Sequence, residues 1–148
     1  MKMVSTYTVP AELSHLSAIR HFVTQVVNGY CTDEDFLYDL TLAVDEAVTN
    51  IIVHGYHLKP SEKLASGNGT ITIFIEPFAD GIEVILRDHA PQFNPILNPE
   101  PDFSQPIEKR KPGGMGIFLV RELTDRLEYQ PLPAGGNELR LVKLFPHP

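Results

Sequence analysis

The sequence predicts an α+β domain built as a two-layer sandwich, because helix-like segments are set among strand-like segments that form hairpins. Apolar residues recur every three or four positions in the helical segments and every second position in the strands. The 148 residues are enough for one domain with a single core, and no linker-like stretch divides them. We therefore expect one domain over residues 1–148.

The first predicted elements are an edge strand and two helices. Residues 3–9 alternate weakly and predict the strand, after which a helix with an apolar stripe is expected to begin at Pro10. Thr32 or Asp33 is suited to cap the next helix, because acidic residues in the following turn favour its dipole. The apolar pattern predicts that this second helix runs to about Gly55.

The second half of the chain predicts a hairpin, a helix and two more strands. Isoleucines at every second position mark a strand after residue 70, Ala79, Asp80 and Gly81 are expected to form a hairpin turn, and the returning strand ends at Asp88. A third helix is expected after Gly116, and further strands are expected at residues 129–132 and 139–145.

Residues 91–112 form a proline-rich segment between these strands and the third helix. Six prolines interrupt any regular element there. An irregular segment of this length in a compact domain is typical of a functional loop or lid. Arg110 and Lys111 belong to a charged run at its end, which is either a solvated surface or a source of cations near phosphates.

Composition excludes several classes of protein. The net charge is −7 and Lys and Arg form no long run, which disfavours direct binding of nucleic acid. Cys31 is the single cysteine, which excludes an internal disulfide and fits a reducing compartment. No apolar stretch approaches the roughly 20 residues of a membrane helix. These features predict a cytoplasmic protein that does not insert in a membrane.

A narrow polar line crosses the second predicted helix. Glu46, Asn50 and His54 are four residues apart and share one face of an α-helix whose other positions are mostly apolar. The line is either a solvated stripe or a binding site. An Asn side-chain oxygen suits Mg²⁺, and a neighbouring carboxylate can accept a proton from an attacking hydroxyl.

Two further segments carry groups that suit a nucleotide. Gly113, Gly114 and Gly116 precede a helix, so they form either a flexible entry or a backbone that approaches an anion closely. The segment lacks the Gly-Lys-Ser/Thr of a P-loop. Asp88 ends a strand, where it is either a turn residue or an acceptor for an adenine amino group.

Taken in order, these segments resemble the motifs of the GHKL ATPase/kinase superfamily. Glu46-x-x-x-Asn50 is similar to its N-box, residues 88–95 to its first glycine box, and residues 113–120 to its second. The short length and the closing strand at residues 137–143 are similar to the anti-sigma-factor serine/threonine kinases of bacterial partner-switching systems. The resemblance spans nearly the whole chain.

The resemblance implies a Bergerat ATP-binding fold: a mixed, mainly antiparallel sheet with helices on one face and a lid at about residues 91–112. It implies ATP and Mg²⁺ as cofactors, with Glu46 as general base, Asn50 as the Mg²⁺ ligand and Asp88 as the adenine reader. The other nucleotide-binding positions that it implies are Ala90, Phe93, Arg110, Lys111, Gly113, Gly114, Met115, Gly116 and Ile117.

The implied function is that of a kinase which binds Mg-ATP, phosphorylates an anti-anti-sigma-type antagonist and sequesters a sigma factor. A homodimer is compatible with the family. The alternative is a non-catalytic, nucleotide-binding module that only switches partners. A third interpretation, the catalytic domain of a histidine-kinase-like or ATPase assembly, ranks last because the chain shows neither a phospho-acceptor helix pair nor a transducer domain.

Overall fold

The computed structural model describes residues 3–56, 69–97, 104 and 114–147. Five strands and three α-helices lie in these ranges, with 3₁₀ turns at Leu13–His15 and Pro95–Leu97 and a π-helical turn at Ile51–Gly55. In chain order the main elements are β1 (Ser5–Pro10), α1 (Leu16–Asn28), α2 (Glu34–Asn50), β2 (Thr70–Phe78), β3 (Gly81–Asp88), α3 (Gly114–Leu123), β4 (Arg126–Pro131) and β5 (Asn137–Leu144).

The five strands form one sheet in the order β1-β2-β3-β5-β4. All four pairings among these described strands are antiparallel. The expected α+β sandwich is therefore confirmed, although the parallel pairing of a mixed sheet is not found within the described ranges. Since β3 is central and β5 lies beside it, the ends of these two strands meet at one edge of the sheet.

The core lies between the helices and one face of the sheet. Alternate residues of β2 (Ile71, Ile73 and Ile75) are fully buried, and so are Val23 and Val27 on α1. Burial of one such side chain contributes about 1.5–3 kcal/mol before the loss of conformational entropy is counted. The alternation predicted for β2 and the helical stripe predicted for α1 are both confirmed.

The predicted start of the first helix was wrong. Pro10 is the last residue of β1 and pairs with Thr70, and the N–H of Ala11 then donates to the carbonyl oxygen of Gly69 at 2.8 Å. The chain therefore stays beside β2 beyond Pro10, and the α-helix begins only at Leu16. Proline suits the first turn of a helix, but in this protein Pro10 ends an edge strand, where its missing N–H costs no hydrogen bond.

The start of α2 follows its sequence signal. The Asp33 side chain accepts a hydrogen bond from the N–H of Phe36 at 2.8 Å, which makes it the N-cap. Glu34 and Asp35 occupy the first turn, where a negative charge is favoured by the helix dipole. The helix then continues to Gly55 as expected, but its last turn has π geometry.

Charged side chains occupy the sheet face that points away from the core. Glu138 on β5 is almost fully buried there between Arg87 at 2.8 Å and Arg140 at 2.9 Å. Burial alone would raise the pKa of Glu138, but the hydrogen bonds and charges of Arg140 and Arg87 outweigh burial and lower it. This carboxylate is therefore held ionised by two guanidinium groups, Arg87 from the neighbouring strand β3 and Arg140 from β5 itself.

Candidate functional site

Asn50 is a polar residue buried inside α2. Its side chain is only 5% exposed, and within the described part of the chain its Nδ2 has no hydrogen-bond partner. A buried amide without a partner costs about 1–3 kcal/mol, so its position calls for a ligand or water. The narrow polar line predicted on this helix therefore ends in a group that suits binding rather than solvation.

Glu46 lies one helical turn before Asn50 and faces the start of α3. A Cβ placed on Gly116 would lie 3.3 Å from Glu46 Oε2, which shows how closely the two helices approach. Burial, and secondly the negative charge of Asp45, raises the pKa of Glu46. The fold thus brings the second glycine segment against the carboxylate of the N-box-like helix, although 70 residues separate Glu46 from Gly116 along the chain.

The π-helical turn changes the line that was predicted for the end of α2. Wider winding after Asn50 rotates the following side chains away from the positions of an ideal α-helix. The His54 ring instead lies against Phe93, with 6.4 Å between the ring centroids. The expectation of one straight row from Glu46 to His54 was therefore wrong, because it assumed unbroken α geometry.

Asp88 ends β3 and is buried, with 3% exposure. Its Oδ1 accepts hydrogen bonds from the N–H of Ala90 at 2.9 Å and from Nδ2 of Asn137 at 2.9 Å. Burial raises the pKa of the Asp88 carboxyl, while these two hydrogen bonds and the charge of His89 oppose the increase. The turn role is present, and because the short turn to Ala90 uses only one of the two carboxylate oxygens, the other is left for the predicted binding role.

A pocket lies beside Asp88, between the end of α2 and the ends of β3 and β5. Aromatic and aliphatic side chains form most of its wall, and Asp88 and Asn137 supply its polar groups. Its lining residues are Ile51, Gly55, Asp88, Phe93, Pro95, Tyr129, Asn137 and Leu139. An apolar wall with few convergent polar groups is the usual character of a small-molecule site.

Ala90 is buried behind this pocket and does not belong to its wall. Ala90 stands where the first glycine box of the GHKL pattern has glycine. A Cβ placed on Gly55 would lie 3.4 Å from the Ala90 methyl group, so this methyl group packs beside the end of α2. Phe93, also expected at the site, does line the pocket.

The second glycine segment is described only in part. α3 begins at Gly114, three residues earlier than expected, and Ile117 is buried in the core at 1% exposure. The side chain of Met115 is outside the described set. Arg110, Lys111 and Gly113 also lie outside the described residues, as does most of the expected lid at 91–112. The roles assigned to these positions stay predictions.

Two residues at this site carried no functional prediction. Asn137, the first residue of β5, bonds Asp88, and Tyr56 holds the residue that follows Asp88. The Tyr56 hydroxyl donates to the carbonyl oxygen of Thr70 at 3.0 Å and accepts from the N–H of His89 at 2.7 Å. The available signal for Asn137 was an amide at the start of a strand in which apolar and charged residues are interspersed.

Clustered metal ligands and membrane spans were also sought. Among the described ranges, no three His, Cys, Asp or Glu residues are grouped so that they could hold a metal ion. A Mg²⁺ ion held by one amide oxygen and by phosphate oxygens would not need such a group. In the same part of the chain, no helix has the length and apolar character needed to cross a membrane.

Known proteins share both the sequence and the fold. A family model described as a histidine kinase-like ATPase domain matches residues 9–143. The serine-protein kinase RsbW of Halalkalibacterium halodurans is 32% identical over 128 residues, which are 82% of this chain and 72% of the relative. RsbW of Staphylococcus epidermidis is 31% identical over 124 residues, which are 80% of this chain and 74% of that protein.

A solved structure supports the fold independently. The structure of the RsbU and RsbW domains of a Mycobacterium tuberculosis protein matches with a TM-score of 0.59 at 16% identity, over 96% of this chain and 32% of that longer one. This chain thus spans about a third of the protein in that structure. The chain belongs to the family of histidine kinase-like ATPase domains and, within it, to the anti-sigma-factor serine/threonine kinases that its motifs resemble.

Proposed function

We propose that this protein uses ATP to phosphorylate a serine or threonine of an anti-anti-sigma-type antagonist, and that it sequesters a sigma factor in a partner-switching system. The observation that carries the proposal is the close approach of Gly116, at the start of α3, to the Glu46 carboxylate. One helical turn after Glu46 lies the buried Asn50, whose Nδ2 has no partner among the described residues. RsbW relatives at about a third identity, named serine-protein kinases, support the same chemistry.

The nucleotide would bind at the end of the sheet where β3 ends and β5 begins. Asp88 presents a carboxylate to the adenine amino group, and the apolar wall that includes Phe93 and Leu139 packs against the base. The backbone N–H groups at the start of α3 suit the phosphates, because they are unpaired within the helix and carry the positive end of its dipole.

Mg²⁺ fits the residues that are present. The Asn50 side chain is buried, and its Nδ2 has no hydrogen-bond partner among the described residues. The oxygen of the same amide is a ligand of the kind that Mg²⁺ prefers. When bound, the ion would neutralise charge on the transferred phosphoryl group. Asn50 is the residue that we assign to hold it.

Glu46 is the proposed general base. The hydroxyl oxygen of the acceptor forms a bond to the γ-phosphorus, the bond from that phosphorus to the ADP oxygen breaks, and the hydroxyl proton passes to the Glu46 carboxylate. Burial and the Asp45 charge raise the pKa of Glu46, which makes it a stronger proton acceptor than an exposed carboxylate. The close approach of Gly116 limits its movement.

Phosphoryl transfer to the antagonist encoded beside the gene tests this function. Glu46→Gln should keep ATP and partner binding but lose transfer by roughly 10²–10⁴-fold, the range of a lost general base. Asn50→Ala should weaken both Mg-ATP binding and transfer. Glu122→Gln, which removes an exposed carboxylate of α3, is the matched control and should behave as the wild type.

The same experiment separates the alternative. A wild type that binds ATP and the antagonist but transfers no phosphate would make the non-catalytic partner switch the better account. The cytoplasm is the proposed place of action, since sigma factors act there. A homodimer is part of the proposal, and sedimentation equilibrium with and without ATP would measure it.

A further inference from the structure

We propose that Asn137 is a positioning residue that orients the Asp88 carboxylate toward the adenine amino group. The inference rests on the proposed function, because it concerns the same nucleotide site. It assigns a role to a side chain that bonds the base-reading residue from a different strand, 49 positions further along the chain.

The Asn137 amide joins several groups of the loop that follows β3. Its Nδ2 donates to Asp88 Oδ1 at 2.9 Å and to the carbonyl oxygens of Ala90 at 3.3 Å and Pro91 at 3.2 Å. Its Oδ1 accepts from the N–H of Phe93 at 2.9 Å and from the Tyr129 hydroxyl. The side chain is 5% exposed, so these contacts are sheltered from water.

These bonds leave the two oxygens of Asp88 unequal. Both donors that reach the carboxylate, the N–H of Ala90 and Nδ2 of Asn137, end on Oδ1. Within the described residues, Oδ2 therefore has no donor and remains able to accept one. Because Oδ1 is held from two directions, rotation of the carboxylate is restricted and Oδ2 keeps one orientation beside the pocket.

Backbone geometry keeps Asn137 in this place. Asp88 and Asn137 are direct partners in the β3–β5 register. The preceding Gly136 has φ of +99°, and a Cβ added to it would lie 2.1 Å from the Asp88 carbonyl oxygen. The turn before β5 thus passes so close to β3 that only glycine fits, and this delivers the amide to the carboxylate.

A nucleotide that lacks the amino group distinguishes positioning from a merely structural role. The probes are ATP and purine riboside triphosphate, which carries hydrogen in place of the 6-amino group. The wild type should prefer ATP by roughly tenfold or more, the range of a hydrogen bond to a charged group. Asn137→Ala should lose most of that preference, because its loss of affinity should be about tenfold larger for ATP than for the analogue.

Two further variants control the measurement. Val23→Ala removes buried methyl groups of α1, remote from the pocket, and should lower stability while the preference for ATP is unchanged. Asn137→Asp keeps the side-chain shape but places a second carboxylate beside Asp88. As pH falls from about 8 to about 6, a proton shared by the two carboxylates restores a hydrogen-bond donor to Asp88 Oδ1, so the ATP affinity of this variant should rise. The wild type should show no such rise.

Each outcome decides the inference. Equal losses of ATP and analogue in Asn137→Ala, with no rise on acidification of Asn137→Asp, would show that Asn137 only supports the fold. A wild type that binds both nucleotides equally would remove amino-group recognition by Asp88, and with it this inference, while leaving ATP binding intact. A wild type that binds neither nucleotide would overturn the proposed function itself.

Discussion

Removal of the Tyr56 hydroxyl should weaken both the fold and the nucleotide site. This hydroxyl connects the end of α2 to two backbone groups: it donates to the carbonyl oxygen of Thr70 at 3.0 Å and accepts from the N–H of His89 at 2.7 Å. Tyr56→Phe keeps the ring in place and deletes both bonds. Burial raises the Tyr56 pKa to about 12, so the hydroxyl keeps its proton throughout the pH range of an assay.

The expected magnitude follows from the partners. A hydrogen bond contributes a net of about 0.5–1.5 kcal/mol, and an unsatisfied buried partner costs more than an exposed one. His89 is exposed, so water can replace the hydrogen bond that its N–H loses. Thr70 is half-buried, so water replaces the bond to its carbonyl oxygen less completely. We therefore expect a loss of about 1–2 kcal/mol in the free energy of unfolding.

Urea unfolding and ATP titration of the same variant provide the assay. The control is Tyr38→Phe, because the Tyr38 side chain is 68% exposed and should change stability by less than about 0.5 kcal/mol. Tyr56→Phe should also bind ATP more weakly, since His89 directly follows Asp88, the residue that we propose to read the adenine. Equal stability and equal ATP affinity in the two variants would refute the argument that this hydroxyl holds the loop.

Three further predictions concern close approaches and charge. Gly136→Ala should cost more stability in thermal unfolding than Gly135→Ala, by about 1–3 kcal/mol, because both have φ of +99° but only the first would collide with a β3 carbonyl. Gly116→Ala should slow phosphoryl transfer about tenfold, since its methyl group would lie 3.3 Å from Glu46 Oε2; an unchanged rate would argue against a confined base. The pKa of Glu138 is lower in the folded protein than in the unfolded chain. The stability that the Glu138 carboxylate provides is therefore fully present above the pKa of the unfolded chain, and it is lost as pH falls through the pKa of the folded protein. In urea titrations, the free energy of unfolding of Glu138→Gln should therefore fall less steeply below about pH 5 than that of the wild type. The same pH dependence in both proteins would contradict this.

Sequence reasoning succeeded where the determinant is local. The cap at Asp33, the alternation of β2 and the hairpin turn before Gly81 each depend on residues a few positions apart, and all are present in the structure. The motif spacing was likewise sufficient to indicate the family, which the comparisons confirm. Short-range stereochemistry and periodicity act in the same way in any fold, so they can be read without one.

Only the tertiary structure could decide the features that join distant segments. Pro10 remains in a strand because β2 pairs with it, and Gly116 adjoins Glu46 because α3 packs on α2. Asn137 reaches Asp88 because their strands are neighbours in the sheet, although they are 49 residues apart. Contacts of this kind depend on strand register and helix packing, which arise from the whole core, so no local pattern at Asn137 specifies its partner.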